Sequence, residues 1–459
     1  MQRLFYIFVL FFPAFVCAQQ NYKISPPLNY MWANIGNPGF SAGEALSTNI
    51  AFNQLGEAFV AFQDYGNGGK ATVMKFNGNS WKNVGTPGFS ADSAIHTCLA
   101  LSSLGQPYVA YSDVGNSQKA TVMKFSGTVW ENVGSAGFSP SIAKDIILSF
   151  SPSGEPYVAF RDVANDLKAS VMKYNGSIWE NVGTPGFTAG LAYHISFSFS
   201  YTGQPYIAFQ DYGNLQKATV MRFDGTNWLN VGPAGFTTGK AICISLAFDL
   251  AAKPFIAFSD ESNSYKLTVL GFDNTNWVNV GSPGFSEGLI EYTSLAINKD
   301  NKLYVAFEDY GEEGKAVLKK FDGSEWDNVG SDGFSSAEAD FIDLDFSPDG
   351  QPCVVFEDYA NAGKATVMKY DSVYVSTNEL MEAGFYIYPN PANNEISVEM
   401  SGEIRGNKLS ISNINGQVIN TYQIITPKII LDLSHLPNGV YVLRFVNEKK
   451  AITRKIIKQ

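Results

Sequence analysis

The sequence predicts an all-β chain in which seven four-stranded units close into a ring, with a small β-sandwich after them. Three observations predict it. The seven tryptophans, Trp32, Trp81, Trp130, Trp179, Trp228, Trp277 and Trp326, follow one another at 49-residue intervals without slippage. A fixed period of that size marks one supersecondary unit used repeatedly. The composition is that of strands and tight turns: 34 Phe, 23 Tyr and 42 Gly in 459 residues, with only 16% charged. The repeat also begins and ends on complementary fragments of itself.

The chain opens with Arg3 ahead of an apolar stretch, Leu4 to Val16, and closes that stretch with Val16-Cys17-Ala18 before Gln19. Residues 1–18 read as a secretory signal, because the apolar run is short for a membrane span. Val16 stands where a lipoprotein cysteine needs a small neighbour, so Cys17 is not read as lipidated. Residues 19–29 form a short N-terminal segment. The remaining Cys98, Cys243 and Cys353 are odd in number and lie in different repeats, so no disulfide framework follows.

Each repeat reads roughly W-x-N-V-G-x-P-G-F-S, a variable stretch, an apolar strand, then G-x-P-Y-V-A-F-x-D-Y-G-N-x-x-K-A-T-V-M-K-F-x-G. In the second copy the strands fall near Thr97–Leu101, Pro107–Ser112, Ala120–Phe125 and Trp130–Val133. Asn77-Gly78, Asn175-Gly176, Asp224-Gly225 and Asp322-Gly323 supply the hairpin turns between third and fourth strands. The second strand is apolar without alternation, as in Tyr157-Val158-Ala159-Phe160, so both its faces are dry. Ala61, Ala110, Ala159, Ala208, Ala257 and Ala306, with Val355 in the seventh copy, suit a crowded junction of converging sheets.

A lone fourth strand, Tyr30 to Ile35, starts the array and a lone third strand, Ala365 to Tyr370, ends it. The first completes the last unit and removes the exposed edges. An open solenoid would need polar capping repeats, which are absent from the sequence. Residues 30–370 therefore resemble the seven-bladed β-propeller class. Neither the Trp-Asp signature nor the sialidase Asp-box is present.

Two charged registers recur. Asp64, Asp113, Asp162, Asp211, Asp260, Asp309 and Asp358 end the second strands; Lys70, Lys119, Lys168, Lys217, Lys266, Lys315 and Lys364 start the third. Their expected role is structural, an Asp–Lys pair across each loop base with the intervening Asn in a left-handed turn; the alternative is seven copies of one polar binding pocket. The seven crossover phenylalanines, Phe40 to Phe334, are expected to pack between blades. Tyr65, Tyr212, Tyr310 and Tyr359, with Asn67, Asn214 and Asn361, are the better ligand candidates. An aromatic plate beside carboxylate and amide groups suits a sugar. His96 and His194 share a variable register, filled elsewhere by Ser47, Asp145, Cys243, Tyr292 and Phe341, which points to solvent or the axial channel.

Identical units supply the same groups seven times, which favours repeated recognition over one reactive centre. The chain reads more as a binding protein than an enzyme. The enzymatic alternative places a hydrolase or lyase at the channel mouth, on the variable register of Arg161, Glu308 and Glu357. The sequence carries no metal-ligand spacing and implies no cofactor, leaving calcium open. A net charge of −11 argues against nucleic acid as a partner.

Residues 371–384 lose the repeat and read as a linker. Residues 385–459 carry nine basic and five acidic side chains, a net +4, which leaves −15 for the rest. Tyr388-Pro389-Asn390-Pro391, the Asn415-Gly416 hairpin, Asn438-Gly439-Val440-Tyr441 and the terminal Lys455-Ile456-Ile457-Lys458 stand in order there. This stretch resembles the C-terminal sorting domain of the type IX secretion system of Bacteroidetes. The resemblance implies export by that machinery, with the cargo secreted or held at the outer surface and no transmembrane segment after signal cleavage. Glycan or another surface protein is the expected partner.

Overall fold

The computed structural model describes residues 29–373, 385–400, 408–413, 417–423, 426, 428–446 and 451–459. The expected signal, most of the N-terminal segment, most of the linker and the Asn415-Gly416 turn lie outside these residues. The chain divides into two compact units, one over Tyr30–Val373 and the other carrying the C-terminal strands.

The first unit is seven antiparallel four-stranded sheets, six of them wound in chain order from the axis outward. Blades 1 to 6 span Ala45–Asn83, Ala94–Asn132, Ala143–Asn181, Ala192–Asn230, Ala241–Asn279 and Ile290–Asn328. Blade 7 takes three strands from Ala339–Val373 and its outer strand from Asn29–Asn34. The first strand thus closes the ring, as its sequence predicts. Ile35 N–H donates to Val367 O at 2.8 Å and Phe40 N–H to Ala365 O at 3.0 Å.

Each tryptophan fastens two blades. Its indole Nε1–H donates at 2.7–2.8 Å to the carbonyl that follows the outer strand of the preceding blade, from Trp32 to Val329 O through Trp326 to Val280 O. The crossover phenylalanine stacks on the same indole, with centroids 3.8–4.9 Å apart. The Phe ring is therefore packing, as expected. The glycine of each N-V-G turn must be small: at Gly183, φ +74°, a Cβ would stand 3.2 Å from Trp228 Cδ1.

A second set of cross-blade bonds lies on the innermost strands. Asn49, Ser196, Ser245, Ser294 and Asp343 each accept the backbone N–H of the next inner strand, at 2.9–3.1 Å. Cys98 Sγ fills the same role for Leu148 N–H at 3.3 Å. At the seam, Asp345 also accepts from Phe52 N–H at 3.1 Å.

The inner strands begin three residues earlier than the sequence pattern indicates, at Ala94 in blade 2. A bulge interrupts the alternation there: Ile95 and Cys98, three positions apart, pair with Ser112 and Ala110, two positions apart on the neighbouring strand. His96 occupies it with φ +54°, a left-handed conformation for a side chain that disfavours it.

The C-terminal unit is two antiparallel sheets around Ile396, Val398, Leu409, Ile411, Leu431, Leu443 and Ile456. Asn390 clasps the last strand through Nδ2–H to Lys455 O and through Oδ1 from Ile457 N–H, both at 2.9 Å. Tyr441 OH donates to Pro437 O at 2.7 Å. The Tyr-Pro-Asn-Pro and Asn-Gly-Val-Tyr segments thus earn their place by binding backbone.

Trp228→Ala is expected to cost about 3–5 kcal/mol, and Trp228→Phe, which keeps the stack but loses the indole bond, about 1–3 kcal/mol; denaturant unfolding separates the two. A pH effect follows from the seam. Burial pushes the Asp343 carboxyl up to about 6, and burial with the neighbouring Asp343 charge pushes Asp345 up to about 7. Both are raised above the unfolded value, so the native state holds protons the unfolded chain has lost. Their contribution is complete below about pH 4 and is lost as pH rises to about 7. Asp345→Asn is expected to flatten the decline in unfolding free energy over that interval by roughly 1–2 kcal/mol after allowance for partial exposure, read by denaturant unfolding across the pH range.

Candidate functional site at the channel mouth

The loops between second and third strands share one face with the crossovers, and here the aspartate register is a structural hub. The seven carboxylates are at most 5% exposed. Asp211 shows the pattern: Oδ1 accepts Gly213 N–H at 2.9 Å, and Oδ2 accepts Asn214 Nδ2–H at 2.8 Å and Thr219 Oγ1–H at 2.9 Å. Thr219 Oγ1 in turn accepts Gly235 N–H from the crossover. Asp64, Asp162, Asp260 and Asp358 repeat it with Asn67, Asn165, Asn263 and Asn361. Asp113 keeps the Asn116 and Thr121 bonds but leaves Oδ1 unpartnered.

Two expectations are corrected. Lys70, Lys119, Lys168, Lys217, Lys266, Lys315 and Lys364 stand opposite the aspartates across the strands but form no ion pair with them among the described residues. The carboxylates turn into the loop, where uncharged donors hold them. The left-handed residue is not Asn but the one after it: Gly68, Ser117, Asp166, Leu215, Ser264, Glu313 and Ala362. Asn67, Asn214 and Asn361 spend their amide on the hub.

Four tyrosines of this face remain open. Tyr65, Tyr212, Tyr310 and Tyr359 are 52%, 40%, 47% and 48% exposed. Tyr212 leans on Tyr193, with ring centroids 4.9 Å apart. Tyr359 OH approaches Asp340 Oδ2 at 3.4 Å.

The bulge register converges at the axis. Ser47, His96, Asp145, Tyr292 and Phe341, from blades 1, 2, 3, 6 and 7, line one cavity of about 290 Å³. Residues of five blades share a cavity only in the channel. None of the seven copies places glycine at this left-handed position, so a side chain is kept there despite the strain. His96 lies 3.9 Å from Asp145, which Arg161 Nε holds at 2.6 Å. Arg161 also lies over the Tyr193 ring at 3.9 Å. Burial lowers the pKa of both His96 and His194, with Asp145 opposing and Arg161 adding to the fall. The two histidines share this polar sector, with the Asp145 carboxylate acting on both.

The opposite sector is acidic. Glu308 and Glu357 are 0% and 1% exposed. Burial pushes each up to about 8, with Asp340 adding to both, Glu291 and Glu338 to Glu308, and Glu44 and Glu338 to Glu357. The Tyr310 hydroxyl lies near enough to Glu308 to offset a little of the rise, yet among the described residues neither carboxylate has a hydrogen-bond partner within bonding geometry. The beds are shaped by glycine. A Cβ on Gly314 would meet Glu308 Oε1 at 3.0 Å, and one on Gly363 would meet Glu357 Oε1 at 2.7 Å. Sequence reasoning found Glu308 and Glu357 but missed Glu44, Glu291, Glu338 and Asp340. Their signal was a pair of registers, Glu44 with Glu338 and Glu291 with Asp340, in which acids appear only in blades adjacent around the ring.

Residues 386–459 match the family described as the secretion system C-terminal sorting domain. That tail marks the protein as secreted or displayed at the cell surface. None of the curated proteins matches the chain in sequence. Among solved structures, it is similar to PorZ, a surface component of the type IX secretion system of Porphyromonas gingivalis, at 15% identity and TM-score 0.47. The match covers 90% of this chain and 59% of that one, so the chain spans less than two thirds of that relative. It is also similar to a family PL25 ulvan lyase at 10% identity, over 75% of this chain and 96% of that one, TM-score 0.49. A lectin of Aleuria aurantia, crystallised with Fucα1-6GlcNAc, is 15% identical over 64% of this chain and 96% of that one, TM-score 0.43. No helix among the described residues is long and apolar enough to cross a membrane.

Asp211→Ala is expected to destabilise the propeller by about 1–3 kcal/mol, because it strands three donors in a buried loop base; denaturant unfolding measures it.

Proposed function

We propose that this exported propeller binds glycan on the face that carries the channel mouth. The observation that carries the reading is the placement of Tyr310 and Tyr359, about half exposed, beside the carboxylates of Glu291, Glu338 and Asp340. The aromatic faces suit the apolar C–H face of a sugar ring, and carboxylates accept from its hydroxyls. Tyr65 and Tyr212 repeat the aromatic element on blades 1 and 4, so a long chain could engage several blades and gain avidity. The strongest contact belongs to blades 6 and 7, where the acids cluster. The domain layout supports the reading: the working part is the propeller at residues 30–370 and the sorting tail at 385–459 is its address.

A glycan array probed at high protein density tests this. Binding is expected, with Tyr310→Ala and Tyr359→Ala each weakening the best hit at least about tenfold, ~1.4 kcal/mol, and leaving the melting temperature unchanged. Silence across the array would turn the reading to a protein-binding adhesion or scaffold role. Depolymerisation of a bound polysaccharide would turn it to the lyase or hydrolase alternative.

A further inference from the structure

The residue just before each hub aspartate is buried at the same place in every blade, and in four blades its partner is plain. Gln63 Nε2–H donates to Ser93 Oγ at 3.0 Å, across the junction with the next blade. Ser112 donates to Gln118 O and Ser259 to Tyr265 O, at 3.0 and 2.9 Å. Arg161 binds Asp145. In blade 6 the residue is Glu308, closed to solvent, with no partner for either oxygen. Across the junction with blade 7, where Ser93 stands in blade 2, it faces Glu338, with Asp340 beside it. One oxygen from each of Glu308, Glu338 and Asp340 lies within 4.8 Å of the others.

The protein supplies no counter-charge there. Among the described residues, Glu291, Glu308, Glu338 and Asp340 form no ion pair, and Lys315 turns its Nζ to exposed Glu313 at 3.1 Å. Glu338 is held in place by its backbone: its carbonyl accepts Tyr359 N–H, and Ala339 N–H donates to Gly314 O at 2.9 Å. A buried, unpartnered carboxylate facing two more is costly unless something positive joins them.

We propose that Glu308, Glu338 and Asp340 form a site for a hard divalent cation, of the Ca²⁺ type, at the junction of blades 6 and 7. All the donors are carboxylate oxygens, which select Ca²⁺, Mg²⁺ or Mn²⁺ over softer metals. Ca²⁺ takes six to eight oxygens and tolerates irregular geometry. Three carboxylates supply up to six, with water filling the rest. The half-exposed position of Asp340 and the exposed one of Glu338 leave an entry path from the channel mouth. The site shares Glu338 and Asp340 with the proposed glycan face, and ion binding measured without sugar tests it separately.

Full-length protein stripped with EDTA and dialysed is titrated with CaCl₂ by calorimetry, and its melting temperature is followed in parallel. Saturable binding of one ion with Kd up to ~1 mM, and a rise in melting temperature, are expected. Glu308→Gln and Asp340→Asn are expected to weaken it at least ~10-fold. Exposed Glu338→Gln guards against a folding artefact and is expected to do the same in a protein with unchanged circular dichroism. The proposal is overturned if Ca²⁺, Mg²⁺ and Mn²⁺ up to ~10 mM give neither heat nor a melting shift, or if Glu338→Gln binds Ca²⁺ as tightly as the parent.

Discussion

The ring rests on what one indole does seven times. A tryptophan on the outer strand of each blade is both a stacking surface for the phenylalanine of the incoming crossover and a donor to the carbonyl just behind it. Apolar burial alone would let two flat sheets slide over each other. The Nε1–H bond, which has one acceptor and one direction, fixes the phase between them. The spacing of 49 residues without slippage is the sequence image of this requirement, since a shift of one residue would lose both the acceptor and the stack. The glycine that follows the acceptor belongs to the same device, because a methyl group there would displace the indole.

The scaffold was legible for that reason. Trp, Phe, Gly and Asp each recur where one geometry demands them, so counting by 49 recovers the blades, the seam and the crossover packing. Strand ends were less legible. The bulge at Ser47, His96 and their counterparts breaks the alternation from which a strand is read, and the sequence gives no sign of a left-handed His or Tyr. The Asp–Lys pairing misled because residues opposite in a strand pair invite an ionic reading. Thr219, five residues beyond Asn214, is the better donor, and it is an inconspicuous residue in a β-strand. Glu44, Glu291, Glu338 and Asp340 escaped notice because each is a departure from the consensus at its own register. Only the ring's geometry places those departures side by side.

Sevenfold repetition and a one-sided polar lining coexist in this molecule. The outer strands and hubs are nearly interchangeable between blades, whereas the inner strands differ in charge. Arg161, Lys144 and Asp145 occupy blade 3, and the acids gather on blades 6 and 7 and the entry to blade 1. Blade 6 departs furthest: Glu312 replaces the hub's Asn, Val317 replaces its Thr, and Asp309 instead accepts Glu287 and Gly288 N–H from the crossover. A rigid symmetric frame can absorb such a local change because the tryptophan fastening on either side is untouched.

The strand at Asn29–Asn34 lies beside Lys364–Val373 in one sheet, so both ends of the repeat array belong to one blade. Loss of chain from either end of the array is therefore felt at a single seam. Trimming that stops short of either strand leaves a sealed disc, whereas erosion past one of them unzips a sheet whose other member is then bare, whichever terminus was attacked. Blade 7 is in this sense the protein's latch.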